Sequence, residues 1–402
     1  MKKIFGISLF VLVIAAVLFP TFYSSNSDSS SSSTSTREIT PVYDYVLDVG
    51  TYTSLDWDWA LSNGEKLLNK MSCHCSAAAT QTDDGVTLVG RNFDFYINHN
   101  PLYIFRTAVD DCYETIGISN ALNDAPEYSD TIKNGLSKEM EKAIPFIAVD
   151  SLNEKGLYIE TNMRLGEWNE DESIKFSSSG TLNTETKPMS LQYLTLYLTQ
   201  NCANVKQAIE LVNQTNIYLP DSIDEINICF LMADALGNYG VLEIADNEVY
   251  WLDKQPVQTN FYINKTCYEK SNYKAGLGRY SLLMEQVENV ETFEEMFTLM
   301  DCVKYSTIND PENALFDVRS EYVGIYENWT DEYVLDEANK DEVLSLIKSD
   351  GEAFYSMTRE ELRDCGEFWE STMTSVVNCN EKSIFIRFFE DDSLTLKLDF
   401  EQ

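Results

Sequence analysis

The chain has 402 residues, with 66 Asp and Glu against 29 Lys and Arg, and a formal net charge of −37 at pH 7. A field of that sign repels polyanions, which argues against nucleic acid and against anionic membrane surfaces as partners. The acidic residues are spread along the chain rather than blocked, so they read as a strongly solvated surface.

In chain order, Lys2-Lys3 precede an apolar run from Ile4 to Phe19 broken only by Gly6 and Ser8. That run is shorter than the roughly 20 residues of a membrane span, so residues 1–23 are expected to be an export signal or an N-terminal anchor. A secreted or cell-surface protein follows, touching membrane only through that anchor. Residues 24–38 are dominated by Ser and Thr and read as a flexible linker. Residues 39–74 are expected to be a pro-region, with a helix-like apolar pattern over 55–71. Residues 75–402 are long enough for one large core and show no internal repeat.

The stretch Cys75 to Phe95 carries the most chemistry. It holds a candidate nucleophile, a turn at Asp83-Asp84-Gly85 and a strand-like run that delivers Arg91 and Asp94. An antiparallel hairpin returns those two residues beside Cys75, so a cation and a carboxylate flank one sulfur. Cys73 is the rival nucleophile, but it shifts both spacings by two. A thiol with an ordinary pKa of about 8.5 needs help to ionise, usually from His. The chain has only His74, next to the cysteine, and His99 in a polar loop, neither placed as a base. A free α-amine, with a reference pKa of about 7.7–8.0, is the substitute. It requires cleavage between His74 and Cys75.

Further strands are predicted over 102–109, 144–149, 157–162, 228–234, 239–244, 249–252, 261–263, 372–377, 383–389 and 394–398. Helices are predicted over 190–199, 205–214, 280–290, 293–302 and 342–347, with Asn204 and Thr292 as N-caps. Antiparallel strand clusters with helices between them favour an α+β fold of stacked sheets over a doubly wound parallel sheet. The nine cysteines form no pair of CxxC knuckles, and there is no HExxH, so no metal is expected.

The run from Cys75 to Asp94 resembles the opening of the choloylglycine hydrolase group of N-terminal-nucleophile hydrolases, which includes bile salt hydrolases and penicillin V acylases. Later segments agree in order: Asn153-Glu154-Lys155-Gly156-Leu157 leading to Asn162, then Thr259-Asn260-Phe261-Tyr262, Gly278-Arg279-Tyr280 and a closing hairpin over 372–386. The resemblance spans about residue 75 to the C-terminus. One departure is Glu160-Thr161-Asn162-Met163-Arg164, where bile salt hydrolases usually have Gly-Leu-Asn-Phe-Pro; it puts the bile-salt pocket in doubt more than the catalytic apparatus.

The resemblance implies a four-layer αββα sandwich of antiparallel sheets and a self-processing amidase that needs no cofactor. Its substrates are small N-acyl compounds such as conjugated bile acids, N-acyl amino acids or penicillin V. Cys75 attacks, Arg91 stabilises the thiolate, and Asp94 orients the α-ammonium. Asn162 and Asn260 hold the oxyanion, and Arg279 serves the charge network or a substrate carboxylate. Phe93, Phe95, Tyr96 and Tyr103 are either acyl-pocket or core residues, and Arg164 is a second cation for an anionic tail. Acyl transfer and an unprocessed exported binding protein are the alternative functions. Oligomeric state stays open, a homo-oligomer included.

Overall fold

Strand side chains alternate between two faces, and the burial of those faces sets the layer order of this protein. The computed structural model describes residues 37–43, 45–63, 74–96, 101–120, 127–165, 188–218, 226–245, 248–270, 276–304, 369–388 and 391–400. Residues 1–36, His99 and the predicted 342–347 helix lie outside the described residues.

Strands β1 (Thr40–Tyr43) and β2 (Val46–Tyr52) precede the hairpin of β3 (His74–Gln81) and β4 (Thr87–Tyr96). Next come β5 (Leu102–Thr107), β6 (Thr115–Ser119), β7 (Ala148–Asn153) and β8 (Tyr158–Leu165). The short strands β9 (Pro188–Ser190) and β10 (Asn216–Tyr218) form a parallel pair of their own. They are followed by β11 (Ile226–Ala233), β12 (Tyr239–Ala245), β13 (Glu248–Asp253) and β14 (Val257–Gln258). The last strands are β15 (Trp369–Asn378), β16 (Ser383–Phe388) and β17 (Asp391–Leu398).

A nine-stranded sheet runs β1-β2-β5-β6-β7-β8-β11-β12-β13, and a six-stranded sheet runs β14-β3-β4-β15-β16-β17. Both are antiparallel except where β2 meets β5. Cys75, Ala77, Val89 and Phe93 of the smaller sheet share one apolar cluster with Ile116, Ile118 and Leu231 of the larger. The other face of the larger sheet, with Tyr103, Phe105 and Phe230, packs on the helices Leu194–Asn201 and Val205–Val212. The other face of the smaller sheet, with Ala78, Leu88 and Val376, packs on Leu277–Gln286 and Phe293–Asp301. Helix, sheet, sheet, helix is the α+β layering predicted.

The helix starts follow their side chains. Asn204 accepts from Gln207 N, and Thr292 with Glu295 forms a capping box. Two strand expectations fail for identifiable reasons. Ile144–Ile147 is a 3-10 helix with Pro145 in its first turn, and the strand starts only at Ala148; a proline has no N–H for a ladder. Over 261–263 the chain bends instead, because Ile263 N and Asn264 N donate to the Glu243 carboxylate at 2.7 and 3.0 Å.

The segment before Cys75 contributes more than the predicted helix, of which Trp57–Ser62 is described and residues 64–73 are not. Its β1 and β2 were not predicted, and they form one edge of the larger sheet.

Candidate active site

The β3–β4 ladder places Cys75 opposite Phe93, Ala77 opposite Arg91 and His74 opposite Asp94. The Gly90-Arg91-Asn92 run divides its labour by strand alternation. A Cβ on Gly90 would lie 2.6 Å from Met300 Cγ, so the glycine lets the helix Phe293–Asp301 sit directly on the sheet. Asn92 ties that helix down, donating Nδ2 to Met300 O at 2.8 Å and accepting from Thr374 Oγ1 at 2.8 Å. Arg91 points to the opposite face, between the sheets.

There its Nη2 donates to Cys75 Sγ at 3.6 Å and to Thr161 O at 2.8 Å. Nη1 pairs with the Asp150 carboxylate and reaches Val149 O at 3.3 Å. Nε lies 3.1 Å from Glu160 Oε2, and the guanidinium stands 5.0 Å over the Phe93 ring. Tyr158 donates its hydroxyl to Asp150 Oδ1 at 2.9 Å. Asn162 Nδ2 donates to Glu160 Oε1 at 3.1 Å and to Gln258 O at 3.5 Å.

One guanidinium therefore serves two carboxylates in a site closed to solvent. Burial alone would lower the Arg91 pKa, but Asp150, Cys75 and Glu160 outweigh it and hold the group well above its ordinary value. Burial pushes Glu160 well above the carboxylate range, with Arg91 pulling the other way and Asp150 adding to the rise. Asp150 is also raised by burial, against the pull of Arg91 and the Tyr158 hydrogen bond. Two carboxylates sharing one cation in a dry site retain a proton between them more readily than either would in water.

A second cluster forms around Arg279. Its Nη1 donates to Asp94 Oδ2 at 3.0 Å and its Nη2 to Asn260 Oδ1 at 3.0 Å. Ser371 donates to the other Asp94 oxygen from a bulge where the β15 register shifts between Ser371 and Met373. Gly276, at φ +77°, precedes the helix that carries Arg279; a Cβ there would stand 2.9 Å from Arg279 Nη2 and 3.0 Å from Thr259 Cβ. Only a residue without a Cβ accepts both that backbone and that neighbour. Glu243 fixes the loop after Asn260 through Ile263 N and Asn264 N, and also accepts from Asn264 Nδ2 at 2.9 Å.

The six residues singled out from the sequence are all buried. The structure joins Cys75 to Arg91, links Asn162 to Arg91 through Glu160, and gathers Asp94, Asn260 and Arg279 in one hydrogen-bonded group. Sequence reasoning missed Asp150, Tyr158, Glu160, Ser371 and Glu243. Glu160 left a trace as the departure beside Asn162; the others sit in ordinary strand context and are assembled only by register. Phe93 packs between the sheets, whereas Tyr103 lies on the helix side of the larger sheet, away from Phe93. Strand alternation on β5 places Tyr103 in the core, one of its two expected positions. The side chains of Phe95, Tyr96 and Arg164 lie outside the described residues.

Two other buried thiols provide a contrast. Burial pushes Cys202 up to about 12, and it pushes Cys379 higher still. Neither site favours a thiolate, whereas Cys75 has a guanidinium against its sulfur.

The model of the linear amide C–N hydrolases, choloylglycine hydrolase family, matches residues 75–275. Among solved structures, two variants of the conjugated bile acid hydrolase from Clostridium perfringens are each 15% identical, with 81% of this chain and 92% of theirs covered and a TM-score of 0.42. Penicillin V acylase from Agrobacterium tumefaciens is 13% identical, with 82% of this chain and 87% of its own covered and a TM-score of 0.40. Comparison with functionally curated proteins gives no match.

Proposed function

The chain belongs to the choloylglycine hydrolase family of linear amide C–N hydrolases, and from that premise we propose that it is an exported, self-processing amidase with Cys75 as its nucleophile. The observation that carries this reading is Arg91 Nη2 at 3.6 Å from Cys75 Sγ, in a buried site where Arg279 binds both Asp94 and Asn260.

Processing starts with attack of Cys75 Sγ on its own His74 carbonyl. The acyl group moves from nitrogen to sulfur, and water hydrolyses the thioester. The freed α-amine lies on the residue that pairs with Phe93, one position from the His74–Asp94 pairing, which brings it near the Asp94 carboxylate. In the catalytic cycle the Cys75 thiolate, held by Arg91, attacks the substrate carbonyl. Asn260 donates an amide hydrogen to the oxyanion, and Asn162 does so by giving up its 3.5 Å bond to Gln258 O, a contribution of the kind worth roughly 2.7–4 kcal/mol per donor. Arg279 anchors Asn260 by its oxygen, which turns the N–H arm of that amide away from the guanidinium. The α-ammonium protonates the leaving amine, then as an amine takes a proton from the water that hydrolyses the thioester. Export is supported by Lys2-Lys3 and the apolar run that follows them.

For the substrate, Arg279 is engaged by Asp94 and Asn260 inside the site. That removes one of the two cations expected to receive an anionic tail and favours apolar acyl amides over acidic conjugates. A panel of glycine and taurine bile-acid conjugates, penicillin V and neutral N-acyl amides tests the reading. Amine release is expected from at least one class, with none from Cys75→Ser. Sustained turnover by Cys75→Ser overturns the proposal. Correct processing without hydrolysis of any amide points to acyl transfer instead.

A further inference from the structure

Resting on the cleavage before Cys75 proposed above, we infer that residues 37–63 remain bound after that cut, as a noncovalent subunit of the mature enzyme. β2 lies between β1 and β5, and its parallel register runs from Val46 opposite Leu102 to Tyr52 opposite Thr107. Leu102 N donates to Tyr45 O and Ala108 N to Tyr52 O, each at 2.8 Å. A cut after His74 falls beyond β2 and the helix Trp57–Ser62, so it severs none of these bonds.

The segment also has side chains in two layers of the core. Val46 belongs to the cluster between the sheets. Leu47, Val49, Tyr52 and Ala60 belong to the cluster on the helix side. Polar contacts hold the same residues to sequence beyond Cys75. Tyr52 donates its hydroxyl to Glu141 O at 2.8 Å, and Tyr193 donates to Ala60 O at 3.0 Å. Arg37 pairs with Glu141 at 3.0 Å, and Asp48 with Arg106 at 3.0 Å. Trp57 packs edge-on against Phe146 at 4.9 Å, and Tyr43 stacks on Phe388 of the smaller sheet at 4.4 Å.

Loss of this segment would leave β5 at the sheet edge. Its Leu102, Tyr103, Ile104 and Phe105 are all buried in the intact fold. An apolar edge strand with an open row of N–H and C=O groups is a template for aggregation. By contrast, the present edge is the four-residue β1, partly exposed and carrying Pro41, the kind of short edge that resists further pairing. The sequence that precedes the nucleophile thus has the character of a permanent edge for the catalytic sheet.

The processed full chain, examined by denaturing and by native mass spectrometry, tests this. Expected are two polypeptides under denaturation, one beginning at Cys75 and one containing residues 40–62, and a single assembly of both under native conditions and through gel filtration. A native, active species consisting of residues 75–402 alone overturns retention while leaving cleavage intact. A single uncut, active chain overturns cleavage instead. Retention is then read after placing a sequence-specific protease site between residues 64 and 70: co-elution of the pieces supports it, and loss of the N-terminal piece from an active remainder overturns it. Leu47→Asp is expected to release the fragment or to aggregate. Tyr43→Ala, which removes the stack on Phe388, is expected to speed fragment loss without preventing folding.

Discussion

Two buried arginines serve the strand pair that carries Cys75, and they are partnered differently. Arg279 meets the Asp94 carboxylate and the neutral Asn260 amide among the described residues. Arg91 meets two carboxylates, Asp150 and Glu160, and also touches the Cys75 sulfur. If both carboxylates and the thiolate were ionised together, one cation would face three anions in a site without solvent. The upward push on Glu160 relieves that excess. The Arg279 cluster therefore acts as a scaffold for Asp94 and Asn260, whereas in the Arg91 cluster burial raises both carboxylates and favours retention of a proton beside the sulfur.

Removing each cation in turn separates the two clusters most strongly. Arg91→Met strands two buried carboxylates, and removing one partner of a buried ion pair typically costs about 3–5 kcal/mol. Arg279→Met removes the cation paired with Asp94, which still accepts from Ser371. Chemical denaturation should rank Arg91→Met as the larger loss, and equal losses would erase the distinction drawn here. Next in size are the two amides. Asn162→Ala and Asn260→Ala should each lower kcat by about 10²–10³ with little change in KM, as the removal of an oxyanion donor does. Steady-state kinetics in which KM rises while kcat holds would make these residues binding groups instead.

Gly276→Ala probes the Arg279 cluster. The left-handed backbone should cost about 1–2 kcal/mol, and the new methyl group presses on Arg279. Thermal melts and kinetics should both fall, whereas Gly135→Ala, also at positive φ but with open space around it, should affect stability alone.

The smallest effect belongs to Glu160→Gln and appears as a change of pH dependence. Glu160 binds its proton more tightly folded than unfolded, so that contribution to stability is fully present below its ordinary 4.5 and is lost as pH rises toward the raised folded value. Glu160→Gln should remove that decline and flatten the stability profile above pH 4.5. An unchanged profile would mean that Asp150, not Glu160, holds the proton.

Much of this was legible in the sequence. The 16- and 19-residue spacings from Cys75 to Arg91 and Asp94 predicted a hairpin that the β3–β4 register confirms. Asn204 and Thr292 announced their helices because capping is a local interaction. Asp150 and Glu160 stayed hidden because their role depends on pairing β7 and β8 with each other and stacking both on the smaller sheet, which no local pattern encodes. Strands β1 and β2 pair locally as an antiparallel hairpin, but the other partner of β2 is β5, which lies far along the chain and pairs in parallel, an arrangement no local pattern encodes. Pro145 was visible in the sequence, yet the apolar run around it read as strand until Ile144–Ile147 proved helical.

If Cys75 forms the acyl–enzyme, its thioester can be trapped. The purified protein is mixed with a cleavable N-acyl amide, quenched in acid within one turnover, digested and analysed by mass spectrometry. An acyl adduct is expected on a peptide whose first residue is Cys75. An adduct on any other residue, or turnover with no thioester at Cys75, would contradict it.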